Sequence, residues 1–421
     1  MPDGIVGDEE VSKVPARRVS VIVALGVAVV VGISALVVLL NRENPGTDSL
    51  TGEGRAGDLL NRSGQRPPSR SLDVVPGADD PDPLVDPDDI ISGGPPPDGI
   101  PPLDEPKFET ANEIDWIEPQ EPVIVLEVKG ETRAYPLQIM TWHEIVNDTV
   151  GGLPVTVTFC PLCNTAYAFV RPEVNGKLTT FGTSGKLYNS NLVMYDRATE
   201  SLWPQAQGQA VIGPLTGSVL ERVPAQIVSW ADFSDAFPAG LVLSRDTGFD
   251  RSYGTNPYPG YDDVDTPPFL FEGEVDGRLA AVERILGVEV RNDVIAFPYD
   301  ELRRVARDDV AAVNETIATD LVVVFWRAGT VSALDEDQIA DSEDVGASVA
   351  FLRRRGGRPL TFEVRDGTIR DVETSSAWNM FGKATSGPLE GATLRDVDYH
   401  DSFWFDWAAF HPDTDVWSAS G

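Results

Sequence analysis

The chain has 421 residues, of which 67 are acidic and 33 basic, for a formal net charge of −34. That balance excludes nucleic acid as a partner, because phosphate recognition needs a basic surface; the plainer meaning of the acidity is solubility, including in a salty environment. A length of this order holds two or three domains, but the first forty residues are not domain material.

Residues 19–40, VSVIVALGVAVVVGISALVVLL, carry no charge and are long enough to cross a bilayer core of about 30 Å as a helix. Lys13, Arg17 and Arg18 precede the run and only Arg42 follows closely, which places a cytoplasmic tail at 1–18 and everything after Leu40 outside. A cleaved signal peptide is the competing reading, but this apolar run is too long and ends in LLNREN rather than in small residues. The expectation is therefore a cell-membrane protein with one span and an extracytoplasmic main domain. Residues 41–110 are rich in proline, glycine and aspartate, with almost no apolar periodicity, and read as a disordered stalk. Residues 111–421 form the domain. Short β-type runs at 123–128, 155–159, 165–170, 192–195, 241–244 and 321–326 dominate it, with helical spacing at 137–146 and 230–237. The predicted class is α+β, β-dominated. The acidic run at 335–344 lacks EF-hand spacing and reads as a solvated loop.

The domain repeats itself. LEVKGETRAYPLQIM from Leu126 is echoed by VEVRNDVIAFPYDEL from Val288, and VNDTVGGLPVTVTF from Val146 by VNETIATDLVVVF from Val313. Farther on, Trp203, Gly213-Pro214 and Leu220 answer to Trp378, Gly387-Pro388 and Leu394, while Trp230 and Pro238 answer to Trp404 and Pro412. Four matching segments in one order predict an internally duplicated unit: repeat one at about 123–245, an insertion at about 246–284, and repeat two at about 285–417. The copies differ in their chemistry. His143, Cys160 and Cys163 belong to the first alone, and His400 and His411 to the second.

Cys160-Pro-Leu-Cys163 closes one strand and opens another, a knuckle geometry that lets two thiolates point to one side. With three histidines in the chain, a metal site of Cys160, Cys163, His143 and His411, or His400 in place of His411, is the leading expectation. Thiolate and imidazole favour zinc or copper. A redox-active pair is the second reading, weakened by the absence of a helix after the motif, and an inert pair is the third. His143-Glu144 begins like HExxH, but Asn147 stands where the second histidine belongs, so Glu144 remains only as a general base beside a metal or as a turn carboxylate. The run at 181–190, FGTSGKLYNS, offers Ser184, Lys186 and Asn189 to an anion, although an ordinary hairpin explains it better. Asp196, Arg197, Arg251 and Tyr253 put charged and aromatic groups at loop ends, as a substrate pocket or a set of ion pairs would.

DGIPP at Asp98, AYP at Ala134, WHEIVND at Trp142, CPLC at Cys160, MYDR at Met194, SLW at Ser201, the TG..R.YG.NPY run from Thr247 and FWF.WAAFHPDT at Phe403 together resemble the bacterial family catalogued as domain of unknown function 3179, over about residues 98–417. The resemblance implies no established activity. Asn164 after CPLC, where glycine is usual, and Asp406 are departures from the family pattern; the second adds either a ligand or a surface charge. Three functions are expected in order: a metal-dependent hydrolase or oxidoreductase, a non-enzymatic envelope module that binds a ligand or metal, and a thiol-disulfide oxidoreductase.

Overall fold

The computed structural model describes residues 79–419 together with Leu72 and Gly77. The expected cytoplasmic tail, membrane span and first part of the stalk lie outside the described residues. Among the described residues no helix is long and apolar enough to cross a membrane.

The first half begins with the hairpin of β1 (Pro122–Val128) and β2 (Glu131–Pro136), which runs into α1 (Leu137–His143). Next come β3 (Ile145–Val150), β4 (Leu153–Cys160) and β5 (Thr165–Val170), an antiparallel meander. A third sheet holds β6 (Phe181–Tyr188), β7 (Asn191–Asp196) and β8 (Leu202–Pro204). The chain returns through β9 (Arg222–Val223) beside β5 and β10 (Gln226–Ser229) beside β1, then α2 (Trp230–Ala236) and β11 (Leu241–Leu243), parallel to β2.

The second half follows the same order. It comprises the hairpin β12 (Arg284–Val290) and β13 (Asp293–Pro298), α3 (Tyr299–Val305), and the meander β14 (Val310–Ile317), β15 (Asp320–Arg327) and β16 (Ala347–Leu352). Then come the sheet of β17 (Phe362–Arg365), β18 (Thr368–Asp371), β19 (Ala377–Trp378) and β20 (Ala384–Ser386), and the return through β21 (Arg395–Asp396), β22 (Asp398–Phe403), α4 (Trp404–Phe410) and β23 (Asp415–Val416), parallel to β13. The sheets β10-β1-β2-β11 and β22-β12-β13-β23 therefore share one strand order.

Local chemistry repeats as well. Pro136 and Pro298 lead into α1 and α3 with φ −62° and ψ 133° or 136°, a conformation that the ring presets. Helices α2 and α4 both stop on a residue of nearly identical backbone, Phe237 (φ −136°, ψ 63°) and His411 (φ −131°, ψ 65°). Asp196 accepts from the Thr199 N–H at 2.7 Å and from Trp203 Nε1 at 3.1 Å; Asp371 does the same with Thr374 at 2.6 Å and Trp378 at 3.0 Å.

The halves exchange strands in their packing: β10 lies against β16, and β22 lies against β5. Val123, Val125 and Val228 accordingly share one apolar cluster with Leu286, Val288, Val324 and Phe351. Strands buried on two sides need apolar residues on both faces, which is why β15 reads as a nearly continuous hydrophobic run, while β4 alternates its apolar residues with the buried Thr156 and Thr158.

Two boundaries differ from expectation. The helix expected to Val146 ends at His143, because Glu144 takes φ 58° and Ile145 opens β3. Residues 79–110, expected to complete the stalk, are instead folded on the domain. Ile90–Ser92 pairs with β6, Leu103 is buried, Phe108–Thr110 pairs with β11, and Arg197 holds both Asp98 (3.1 Å) and Asp104 (2.7 Å). Proline and aspartate hid this from periodicity, since the segment docks through isolated apolar anchors and ion pairs rather than through a repeating face.

Candidate functional site

Strands β12 and β22 pair with Gly287 opposite His400 and Glu289 opposite Asp398. Directly opposed residues share a face, and residues two apart on one strand do too, so Gly287, Glu289, Asp398 and His400 all point to one side. Gly287 keeps that side open: a Cβ there would lie 2.2 Å from the Trp407 ring. Trp407, on α4, fills the space, with its ring 5.0 Å from that of His400 and 4.0 Å from that of His411.

Glu289, His400 and His411 thereby offer ligand atoms that all lie within 4.8 Å of one another. His411 Nε2 stands 3.8 Å from Glu289 Oε1. His400 is 3% exposed, and its Nδ1 has no hydrogen-bond partner. Burial pushes its pKa well below the usual value, and Arg222 and His411 add to the shift; burial also lowers His411, with Glu289 opposing. Both imidazoles are therefore neutral at pH 7, the form that binds a metal. Arg222, from β9, donates to Glu289 at 2.8 Å and to Asp398 at 3.0 Å and so fixes the carboxylate. A cleft of about 290 Å³ adjoins the group, lined by Tyr167, Arg222, Pro224, Asp396, Asp398 and Tyr399.

The corresponding place in the first half is filled from within. Gln226 faces Val125 as His400 faces Gly287, which sets Glu127 and Gln226 in the positions of Glu289 and His400; the matching helix ends set Phe237 in that of His411. There Lys383 places Nζ 2.7 Å from Glu127 and 4.5 Å from the Phe237 ring centre. Arg222 does the same for Glu289, so each glutamate is held by a cation from the other half, and only the second half adds two imidazoles beside it.

Of the five metal ligands expected from sequence, the structure gathers His400 and His411, together rather than as alternatives, and adds Glu289. His143 lies elsewhere, with Nδ1 2.6 Å from the Pro101 carbonyl and Nε2 2.6 Å from the Tyr253 hydroxyl, so both ring nitrogens are engaged. Burial lowers its pKa to about 4. Glu144 is buried beside it, and burial alone raises its carboxyl to about 8, so at neutral pH it holds a proton. Cys160 and Cys163 form a separate buried pair of free thiols, with sulfurs 2.8 Å apart.

The residues expected to bind substrate fall into three places. Ser184 and Lys186 belong to the β6–β7 hairpin, where Ser184 Oγ donates to the Val193 carbonyl and accepts from the Lys186 N–H, and Asn189 is in its two-residue turn with φ 51°. Asp196 and Arg197 serve the Trp203 loop and the 98–104 segment already described. Tyr253 links His143 to the Thr247 hydroxyl at 2.5 Å, and Arg251, near enough to depress His143 electrostatically, donates to the Asp250 carbonyl.

Sequence reasoning missed Glu289, Arg222 and Trp407. Glu289 was visible as the partner of Glu127 in the repeat, but only strand register shows which side chains share its face. Asp406, which sequence left open as ligand or surface charge, is 1% exposed and stands against Cys163.

A β-rich domain of two alike halves with a two-histidine, one-carboxylate cluster at their junction is the class that fold and site define. The chain belongs to the family described as "Protein of unknown function (DUF3179)", which matches residues 97–414. No curated protein and no solved structure matches it.

Proposed function

We propose that the chain is a membrane-anchored, extracytoplasmic metalloprotein that holds one zinc or copper ion at Glu289, His400 and His411. The observation that carries this reading is the convergence of the three donors, whose ligand atoms lie within 4.8 Å of one another, with a buried imidazole, His400, among them. The matched sheet orders, helix ends and aspartate-tryptophan loops support the duplication itself. The uncharged run at 19–40, with basic residues before it, supports the anchor.

Glu289, His400 and His411 would hold the ion, which would supply Lewis-acid or, for copper, redox chemistry to a small molecule. The residues around it have defined tasks. Arg222 holds the Glu289 carboxylate in place, Trp407 packs its ring against both imidazoles, and the cleft lined by Tyr167, Arg222 and Asp398 lies on the side of the residues that flank them. A hydrolase or oxidoreductase fits this arrangement better than a closed structural site, which takes four protein ligands.

Elemental analysis of the full chain, purified without chelator, tests the reading. About one zinc or copper per chain is expected, lost in His400→Ala and in His411→Ala and retained in Cys160→Ser. Metal content indifferent to both histidines, or lost with the cysteine, would sink it.

A further inference from the structure

The metal reading leaves unused the buried thiols that first drew attention in the sequence. Cys160 ends β4 and Cys163 precedes β5; the turn is closed by the Cys163 N–H donating to the Cys160 carbonyl at 3.2 Å. It brings Cys160 Sγ within 2.8 Å of Cys163 Sγ. The surroundings of the two sulfurs are unequal. Cys163 is fully buried and hydrogen-bonded to Asp406 of α4, with the Asn191 amide donating to its sulfur at 3.4 Å. Asp406 is itself held by Asn191 Nδ2 at 2.9 Å and Ser402 Oγ at 3.2 Å. The first half supplies the thiols and the second supplies the carboxyl. An inert pair needs no such partner: a buried carboxyl is costly, and an apolar side chain would pack against two thiols at less cost. Metal is not served either, because His143, the imidazole expected beside the thiols, is engaged by Pro101 and Tyr253, and His400 and His411 stand with Glu289.

We propose that Cys160 and Cys163 are a redox-active dithiol, with Cys160 as the exchanging thiol, Cys163 as the resolving thiol and Asp406 as the group that takes the Cys163 proton. Burial favours a low-molecular-weight disulfide over a protein one as oxidant, since Cys160 is 2% exposed. Cys160 attacks one sulfur of that disulfide, and its proton leaves with the first displaced thiol, so a mixed disulfide forms. Cys163 then gives its proton to Asp406 and attacks the Cys160 sulfur. The Cys160–Cys163 bond forms, the mixed disulfide breaks, and the second small thiol departs with the proton from Asp406. Two protein thiols are oxidised, and one small disulfide is reduced to two thiols. Burial raises the Asp406 carboxyl to about 7, so near neutrality it is available both to accept and to release that proton.

The test equilibrates the full chain, in the presence of a metal chelator, with graded mixtures of reduced and oxidised glutathione, then denatures it, labels thiols with a maleimide and weighs it. The expected result is a single reversible loss of two labels, absent in Cys160→Ser and Cys163→Ser. The rate of disulfide closure should rise through neutral pH in the wild-type chain, and in Asp406→Asn it should be slowed about tenfold or more with that rise gone. Two labels at every mixture would overturn the dithiol, as would one thiol remaining labelled throughout. Should Asp406→Asn not fold, the wild-type rate decides: a profile that follows only ordinary thiol ionisation, with no step near pH 7, overturns the role of Asp406. Neither outcome depends on the metal at Glu289, His400 and His411.

Discussion

Gly287 is the residue on which the metal cluster turns. A methyl group there would meet the Trp407 ring at 2.2 Å, and Trp407 is 1% exposed. Gly287→Ala is therefore expected to cost about 1–3 kcal/mol as overpacking and to lower metal occupancy through displacement of the two imidazoles that pack against Trp407. Urea unfolding and elemental analysis of one preparation check both; a stable variant with full occupancy would show that Trp407 does not position the histidines. Glu144 makes a different kind of prediction. Its folded pKa of about 8 lies above the unfolded value, so its contribution is fully present below about pH 4.5 and is lost as pH rises to 8. Glu144→Gln has no proton to lose. Relative to wild type it should gain on the order of 2–4 kcal/mol between pH 5 and pH 8 in urea melts, and a constant difference would mean that the carboxyl is ionised in the fold.

At the scale of elements, the loop that joins β7 to β8 and its counterpart joining β18 to β19 are the same device. Asp196 and Asp371 are 0% exposed and spend both oxygens on a backbone N–H, a threonine hydroxyl and an indole N–H. Truncation leaves those donors buried without acceptors, at a cost of at least ~2 kcal/mol. Asp196→Ala and Asp371→Ala should lower stability by similar amounts in denaturant unfolding; a large effect of one and none of the other would separate the halves energetically. Helix ends carry the opposite lesson. Phe237 and His411 share a backbone conformation but not a side chain, so one cap seats an aromatic ring under Lys383 while the other delivers a ligand atom beside Glu289.

For the whole molecule, protons decide more than ion pairs. Burial raises Glu144 to about 8 and Glu283, Asp401 and Asp406 to about 7. Each binds its proton more tightly folded than unfolded, so each contribution is present below about pH 4.5 and lost as pH rises toward 7 or 8. His143 runs the other way, because its pKa near 4 costs stability as pH falls from 6.5. His400 and His411, also lowered by burial, run with His143, but the four raised carboxyls outnumber the three imidazoles, and the net charge of −34 adds repulsion at high pH. A chelated sample should melt at a higher temperature at pH 5.5 than at pH 8, with added salt narrowing the gap. A higher melting temperature at pH 8 would contradict the buried, protonated carboxyls.

Strand and helix positions were legible in the chain because they rest on local spacing: residues 165–170 and the start of α1 at Leu137 stand where periodicity set them. Alike segments in one order were legible too, and the sheets β10-β1-β2-β11 and β22-β12-β13-β23 have the same strand order. The partners of the histidines were not. His400 reaches Glu289 through antiparallel register across more than a hundred residues, and Cys163 meets Asp406 because β22 lies against β5. Such meetings depend on which faces of distant strands are opposed, and no single stretch of chain encodes that. The sequence by itself determined the types of chemistry at hand, two thiols and three imidazoles in a family of unknown function. Only the tertiary structure decided that they fall in three places, the thiol pair, His400 with His411, and His143 apart, because packing, not spacing, divides a short inventory of reactive side chains between sites.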